Sequence, residues 1–308
     1  MVLPARAQVD AQLTQYWAVP AYYNPSAAGN IDFIHITAGS RLQWVGIHHA
    51  PMSFMALGDM PFRFFNNRWG TGVSIHSERA GLYRSLNAGV QLAWKKKIFH
   101  GTLSAGFQLG ILSETFKGSE IIIPEDVDAF QSNDDAIPTN DVSGTAFDFS
   151  AGLMFTHKWF WAGFSSTHIN APSVSLKLEN NEENYYEFNV GRLYYFMAGS
   201  NIPVKNTLFE LQPSLMAKTD FNAWTAEVTA RVRYNKFLSG GIGYRYKDAV
   251  SLQLGAEFKN FFIGYTYEYP TSAIRNASSG THELFVTYNV KLDMNDKNKN
   301  KQKSIRIM

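Results

Sequence analysis

From Thr281 to Leu292 the chain alternates between two kinds of side chain. Leu284, Val286, Tyr288, Val290 and Leu292 fall on one parity, and Glu283, Thr287, Asn289 and Lys291 on the other. A strand sends successive side chains to opposite faces, so this segment has one apolar and one polar face. The pattern recurs. Trp224, Ala226, Val228, Ala230, Val232 and Tyr234 oppose Thr225, Glu227, Thr229, Arg231 and Arg233; Val250, Leu252, Leu254, Ala256 and Phe258 oppose Ser251, Gln253, Gly255 and Glu257; Phe147, Phe149, Ala151, Leu153 and Phe155 oppose Asp148, Ser150 and Gly152. Strands are expected near Ile31–Trp44, Met52–Phe62, Gly70–Glu78, Tyr83–Lys95, Ile98–Leu112, Ala146–Thr156 and Trp159–His168. Seven more follow near Tyr186–Gly199, Thr207–Lys218, Ala223–Tyr234, Phe237–Tyr246, Val250–Phe258, Phe261–Tyr269 and His282–Leu292. That makes about fourteen, an even number, as in single-chain outer-membrane barrels.

A soluble sandwich would also alternate, with its apolar faces turned inward. Two details favour a transmembrane antiparallel β-barrel, apolar outside and polar within. The apolar parity repeatedly ends in Trp, Tyr or Phe, as an interfacial girdle does, and the opposite parity mixes Gly with charges, which suits a packed polar lumen. The charges Asp148, Glu227, Arg231, Arg233, Arg245, Glu257 and Glu283 are expected to pair across strands and brace the wall rather than form a selectivity ring.

The connections have their own regularity. The long ones, Thr115–Thr145, Ile169–Tyr185 and Pro270–Thr281, all fall on one side of the barrel. The short ones, Lys95–Lys97, His157–Lys158, Asn235–Lys236 and Lys259–Asn260, fall on the other. Short turns belong in the periplasm, which places the barrel, residues 31–292, with both chain ends on the periplasmic side. Three of these turns share a pattern, basic residue or Asn, then aromatics, then Gly, as in His157-Lys158-Trp159-Phe160-Trp161-Ala162-Gly163. It matches a turn in water, aromatics at the headgroups, and Gly where the strand enters the wall.

Composition narrows the function. The 308 residues are 15% aromatic and only 18% charged, with no Cys and a net charge of +2. The absence of Cys removes disulfides, thiolate chemistry and a lipoprotein anchor; near neutrality gives no argument for nucleic acid. Ala5-Arg6-Ala7 before Gln8 resembles the end of a secretory signal, so residues 1–7 are read as a leader remnant. Residues 293–308 form a basic polar tail. The sequence holds no zinc-protease, phosphate-loop or nucleophile-elbow motif, so no enzyme and no cofactor is expected. His48-His49 is read as turn or wall rather than a metal pair. Ser165 and His168 differ in parity, which argues against a shared catalytic face. The acidic stretch 114–141, with Glu120, Glu125, Asp126, Asp128, Asp134, Asp135 and Asp141, is read as a solvated lid; its spacing fits no calcium loop.

Ahead of the first strand, residues 8–30 are aromatic and irregular. Tyr16, Trp17, Tyr22 and Tyr23 accompany turn signals at Pro20 and Asn24-Pro25. The segment is too irregular for a membrane strand and too apolar to float in water, so it is expected to pack into or across the periplasmic mouth as a plug or docking element.

Gln12-Leu13-Thr14-Gln15-Tyr16, followed by Asn24-Pro25 and Ala28-Gly29, resembles the N-terminal signature of the PorP/SprF family of Bacteroidetes, with Ser26 at a usual Ala position and Thr14 at a usual Ser position. Arg41-Leu42-Gln43-Trp44, with Pro51 and Pro61 beyond it, resembles the family's R-x-Q-W segment, and Gly163 to His168 its G-x-S-x-x-H hairpin. The resemblance implies an outer-membrane barrel of the type IX secretion and gliding machinery that anchors or assists export and surface presentation of proteins with a C-terminal sorting domain. It also implies periplasmic ring and lipoprotein subunits and a peptidoglycan-binding protein as partners. Tyr16, Trp17, Pro20, Asn24, Pro25, Gly29, Arg41, Gln43 and Trp44 are the candidate plug or partner-binding residues. The alternative is an outer-membrane channel for small or hydrophobic solutes with an N-terminal hatch.

Overall fold

The computed structural model describes residues 10–121, 138, 140–178 and 181–292. The leader 1–7, the tail 293–308 and five acids of the expected lid (Glu125, Asp126, Asp128, Asp134 and Asp135) lie outside these residues.

In chain order the strands are β1 (Phe33–Leu42), β2 (Met52–Phe64), β3 (Asn67–Ala80), β4 (Tyr83–Ile98), β5 (Gly101–Lys117), β6 (Asp141–Thr156), β7 (Phe160–Thr167), β8 (Ser173–Leu178) and β9 (Asn181–Asn189). They continue with β10 (Leu193–Ser200), β11 (Ile202–Pro203), β12 (Phe209–Thr219), β13 (Trp224–Tyr234), β14 (Leu238–Arg245), β15 (Ala249–Phe258), β16 (Phe261–Pro270) and β17 (Thr281–Lys291). Fourteen of them form the wall. Each pairs antiparallel with its neighbour, β7 with β10 and β10 with β12, and β1 closes the circle on β17 from Phe33↔Lys291 to Leu42↔His282. Closure leaves no wall edge unpaired, the condition for a sheet to cross a membrane. No helix among the described residues is long and apolar enough to do so.

The faces follow the sequence parity. On β13, Val228 is 56% exposed and Glu227 2%. On β17, Leu284, Val286 and Tyr288 face out while Glu283 and Thr287 are buried within. Aromatic pairs stud both rims, Phe261 with Tyr288 and Phe209 with Tyr234 at one end, Trp224 with Tyr246 and Tyr194 with Phe221 at the other.

The two ends differ as the connections predict. At the turn mouth, Phe65-Asn66, Phe99-His100 and Asn235-Lys236 have positive φ at both residues, the conformation whose twist matches that of the flanking strands. The loop mouth carries the long connections. Several strands run beyond their expected ends, β5 to Lys117 and β6 from Asp141 among them, and two further differences change the connections. Lys95–Lys97 continue β4 rather than turning, because Lys95 still faces the lumen and is buried there. The expected strand Tyr186–Gly199 is two strands. Its first part lies in the β8–β9 hairpin, and the wall resumes only at Leu193, after Val190 N–H has bonded back to Pro172 O. The hairpin packs Val174 and Leu176 onto Leu112, Phe116 and Val142, on the inward face of β5 and β6 at the loop mouth.

Candidate functional site

The lumen is threaded lengthwise by residues 10–30. Asp10 lies at the loop mouth, where its carboxylate accepts bonds from Tyr195 Oη (2.7 Å) and Thr167 Oγ1 (3.0 Å) and meets His168 Nε2 (3.2 Å). Lys218 Nζ donates to Asp10 O (3.2 Å), and His168 Nδ1 meets Asp148 (2.9 Å). Burial alone would raise the Asp10 pKa; the adjoining His168, Tyr195 and Lys218 outweigh it and hold the carboxyl well below the usual range. At the other end, Gly29 N–H donates to Asp59 (2.7 Å), Arg68 reaches Asn30 O (3.2 Å), and the chain turns into β1 at the turn mouth. The segment, expected to pack into or across the periplasmic mouth, packs into the barrel, and residues 10–30 occupy the full height of the lumen. Asp10 and Leu292 lie at opposite mouths, because the segment needs the full height of the lumen to bury its apolar and aromatic side chains.

Between these ends the thread is held by three sets of contacts. The uppermost is ionic. Glu283 accepts from the backbone N–H of Thr14 (2.9 Å) and Gln15 (3.3 Å) and pairs with Arg41. Arg41 pairs with Glu268 (2.7 Å), Glu268 with Arg245 (2.8 Å), and Arg245 with Glu227 (2.9 Å) and the Thr14 hydroxyl (3.1 Å). All five charged side chains are nearly fully buried. Buried charges persist only when paired and hydrogen-bonded, and here the thread's own amides supply bonds that the carboxylates would otherwise lack.

The second set is aromatic. Tyr16 Oη donates to Ser214 (3.0 Å). The Arg231 guanidinium lies 3.1 Å above the Trp17 ring, and Trp17 Nε1 donates to Gln253 (3.1 Å). Gly241 makes room for this arrangement, since a Cβ there would overlap Arg231. Leu13, Tyr16, Val19 and Tyr23 join Met55, Tyr195, Met197, Met216 and Phe285 of the wall in an apolar core inside the barrel.

The third set holds the Asn-Pro and Gly signature. Pro20 opens a one-turn helix, Pro20–Tyr23, suited to it because a first-turn proline lacks only an N–H that would go unpaired. Asn24 caps the 3-10 turn Pro25–Ala27 by accepting from Ser26 N–H (3.0 Å), and its amide donates to Leu153 O (3.0 Å) and Phe164 O (3.3 Å) of the wall. Wall glycines admit the turn. A Cβ at Gly106 would overlap Ser26 N, one at Gly152 the Asn24 side-chain Oδ1, and one at Gly70 Ala28 O. Gly29 itself has φ +65°, and a Cβ on it would stand 2.6 Å from Gly70 Cα.

The structure therefore brings Tyr16, Trp17, Pro20, Asn24, Pro25, Gly29 and Arg41 into one site. Gln43 and Trp44 stand apart, in the β1–β2 connection at the loop mouth, where Gln43 N–H bonds Pro51 O (2.9 Å) and Trp44 N–H bonds Thr281 Oγ1 (3.1 Å). Asp10, Asp59, Glu268 and the wall glycines were missed. Glu268 sits on the lumen parity of β16, a signal that was readable. The lumen charges do brace the wall; besides the five above, Arg233 pairs with Glu257 and with Glu210 (3.2 Å). Arg231 departs from this by taking an aromatic partner in place of a carboxylate. The parity argument at Ser165 and His168 is overridden, since His168 lies past the end of β7 with φ +53° and turns inward. Both serve the thread; Ser165 Oγ donates to Tyr23 O (2.7 Å). His48 and His49 stack ring on ring in the β1–β2 connection, with centroids 4.0 Å apart.

Solved barrels match this fold, two of them over most of both chains. A Pseudomonas aeruginosa FadL homologue has a TM-score of 0.52 at 12% identity, covering 92% of this chain and 100% of its own. The CymD monoaromatic hydrocarbon channel has a TM-score of 0.52 at 10% identity, covering 90% and 94%. At such identities the likeness is one of fold, that of a closed antiparallel β-barrel. No curated protein matches the sequence. The family model described as type IX secretion system membrane protein PorP/SprF matches residues 5–288. With nearly the whole wall and its internal thread inside that match, the chain belongs to the PorP/SprF family of type IX secretion system membrane proteins.

Proposed function

We propose that this barrel is an anchoring and docking component of the type IX secretion and gliding machinery, assisting export and surface presentation of proteins with a C-terminal sorting domain. Periplasmic ring and lipoprotein subunits and a peptidoglycan-binding protein are its expected neighbours. The turn mouth faces the periplasm, the loop mouth faces the cell exterior, and the basic tail 293–308 is periplasmic. The observation that carries the reading, beside the family, is the thread. A lumen crossed from end to end by the protein's own chain, with buried ion pairs along the way, suits a closed platform better than an open passage. Gentle extraction of the tagged protein from outer membranes, followed by identification of what accompanies it, tests this. Recovery of no type IX component would refute it.

The channel reading, with the thread as a hatch that opens, predicts conductance by the intact chain, where the platform reading predicts almost none. The full chain is expected to conduct little, and deletion of residues 12–29 to raise conductance by more than tenfold. Steady conductance by the full chain, or uptake of hydrocarbons into liposomes that contain it, would favour the channel.

A further inference from the structure

Beside the thread the turn mouth is hollow. A cavity of about 1050 Å³ opens there between the ends of β12 to β17 and the β6–β7 turn. Lys158, Lys236, Lys259 and Lys291 line it, together with Arg233 and the carboxylates Glu210 and Glu257. Arg233 takes both carboxylates. Among the described residues, none of the four lysines has a carboxylate partner; the recorded neighbours are rings, Trp159 for Lys158 and Phe258 for Lys259. With five cationic side chains against two carboxylates, the described lining of this concave surface carries a net charge of +3.

We propose that this vestibule binds an acidic, extended segment of a partner protein. The inference stands on the geometry of the mouth and does not rest on the secretion reading. Spacing distinguishes a chain from a compact anion. A phosphate site gathers its donors around one point, whereas these lysines sit on the β6–β7, β13–β14 and β15–β16 turns and at the end of β17. Neighbouring strands are ~4.8 Å apart, so the lysines follow roughly 35 Å of rim. An extended segment of about ten residues spans that distance. The cavity also reaches the upper end of the ~300–1,000 Å³ usual for small-molecule sites. Charges at such a mouth act mainly on encounter and specificity, so binding should weaken steeply with salt.

The test uses the full-length protein in detergent micelles and a fluorescein-labelled decapeptide of alternating Glu and Ser, with the Gln-Ser decapeptide as control. Anisotropy should report saturable binding of the Glu peptide, at least tenfold tighter than the Gln peptide and lost on raising NaCl from low to high. The fourfold variant K158Q/K236Q/K259Q/K291Q should weaken binding roughly thirtyfold, a little over twofold per exposed lysine. The pair K177Q/K247Q, away from the cavity, should leave it unchanged. All four lysines lie at turns or strand ends, and heat-modified gel mobility checks that the variants fold; should the fourfold variant fail to fold, the four single variants are read in its place. Unchanged affinity in the lysine variants, or equal affinity for the Gln peptide, would overturn the proposal. So would full displacement of the peptide by inorganic phosphate at matched ionic strength, or by phosphatidylglycerol nanodiscs, because the site would then be one for small anions or lipid headgroups.

Discussion

Gly29→Ala tests whether the thread is a fixed part of the barrel. The Gly29 backbone has φ +65°, which an L side chain adopts at a cost of about 1–2 kcal/mol. The added Cβ would stand 2.6 Å from Gly70 Cα and 2.7 Å from Met60 O. Both are backbone atoms of paired wall strands, so the turn must move instead of its surroundings. Movement stretches the bond from Gly29 N–H to Asp59 (2.7 Å), a hydrogen bond to a charged group, worth about 1.5–3 kcal/mol. Together these amount to roughly 2.5–5 kcal/mol against the docked turn, or about two to four decades in its docking equilibrium. Gly29 lies outside the wall, so the barrel itself should still form. Hydrogen exchange followed by mass spectrometry should show the amides of Asn24–Asn30 exchanging at least a hundredfold faster in the variant, with those of β12–β17 unchanged. Exchange at Asn24–Asn30 within twofold of the parent would refute the claim that this turn is seated against immovable backbone.

Arg41→Met should destabilise the barrel by about 3–5 kcal/mol in urea unfolding, because Glu268 and Glu283 are left buried with a cation removed. Arg84→Met, which breaks a half-exposed pair with Glu120, should cost less than about 1 kcal/mol. Arg231→Lys keeps the charge but loses the planar face stacked on Trp17; a blue or red shift of Trp emission with faster exchange at Tyr16–Ala18 is expected, and identical spectra would count against the stacking. Val228→Arg places a charge near the middle of the lipid face of β13 and should cost about 2–4 kcal/mol in folding into bilayers, whereas Trp224→Arg at the rim should cost about 0–1 kcal/mol.

Much of this protein was written locally. The fourteen wall strands, the outward set Val228, Leu252 and Leu284, the inward set Glu227, Ser251 and Glu283, and the division into a turn end and a loop end all follow from a period of two and from turn chemistry. Those properties are legible because each residue's face depends only on its neighbours along the strand. Even the identity of the thread was visible, since Tyr16, Trp17 and Asn24-Pro25 stood out as too apolar for solvent and too irregular for the wall.

What fills the lumen was decided by closure. Alternation says that Gly70, Gly106 and Gly152 face inward; it does not say that they meet Ala28, Ser26 and Asn24, which lie 42, 80 and 128 positions earlier in the sequence. The same holds for Asp10 beneath His168 and Lys218, and for Glu283 bonded to the amides of Thr14 and Gln15. His168 shows the limit most plainly, because one positive φ at the end of β7 reverses the face that parity assigns to it. Strand periodicity is a property of neighbouring residues. The path of the thread from loop mouth to turn mouth depends on fourteen strands meeting in one register, and only the folded barrel brings those distant groups within bonding distance.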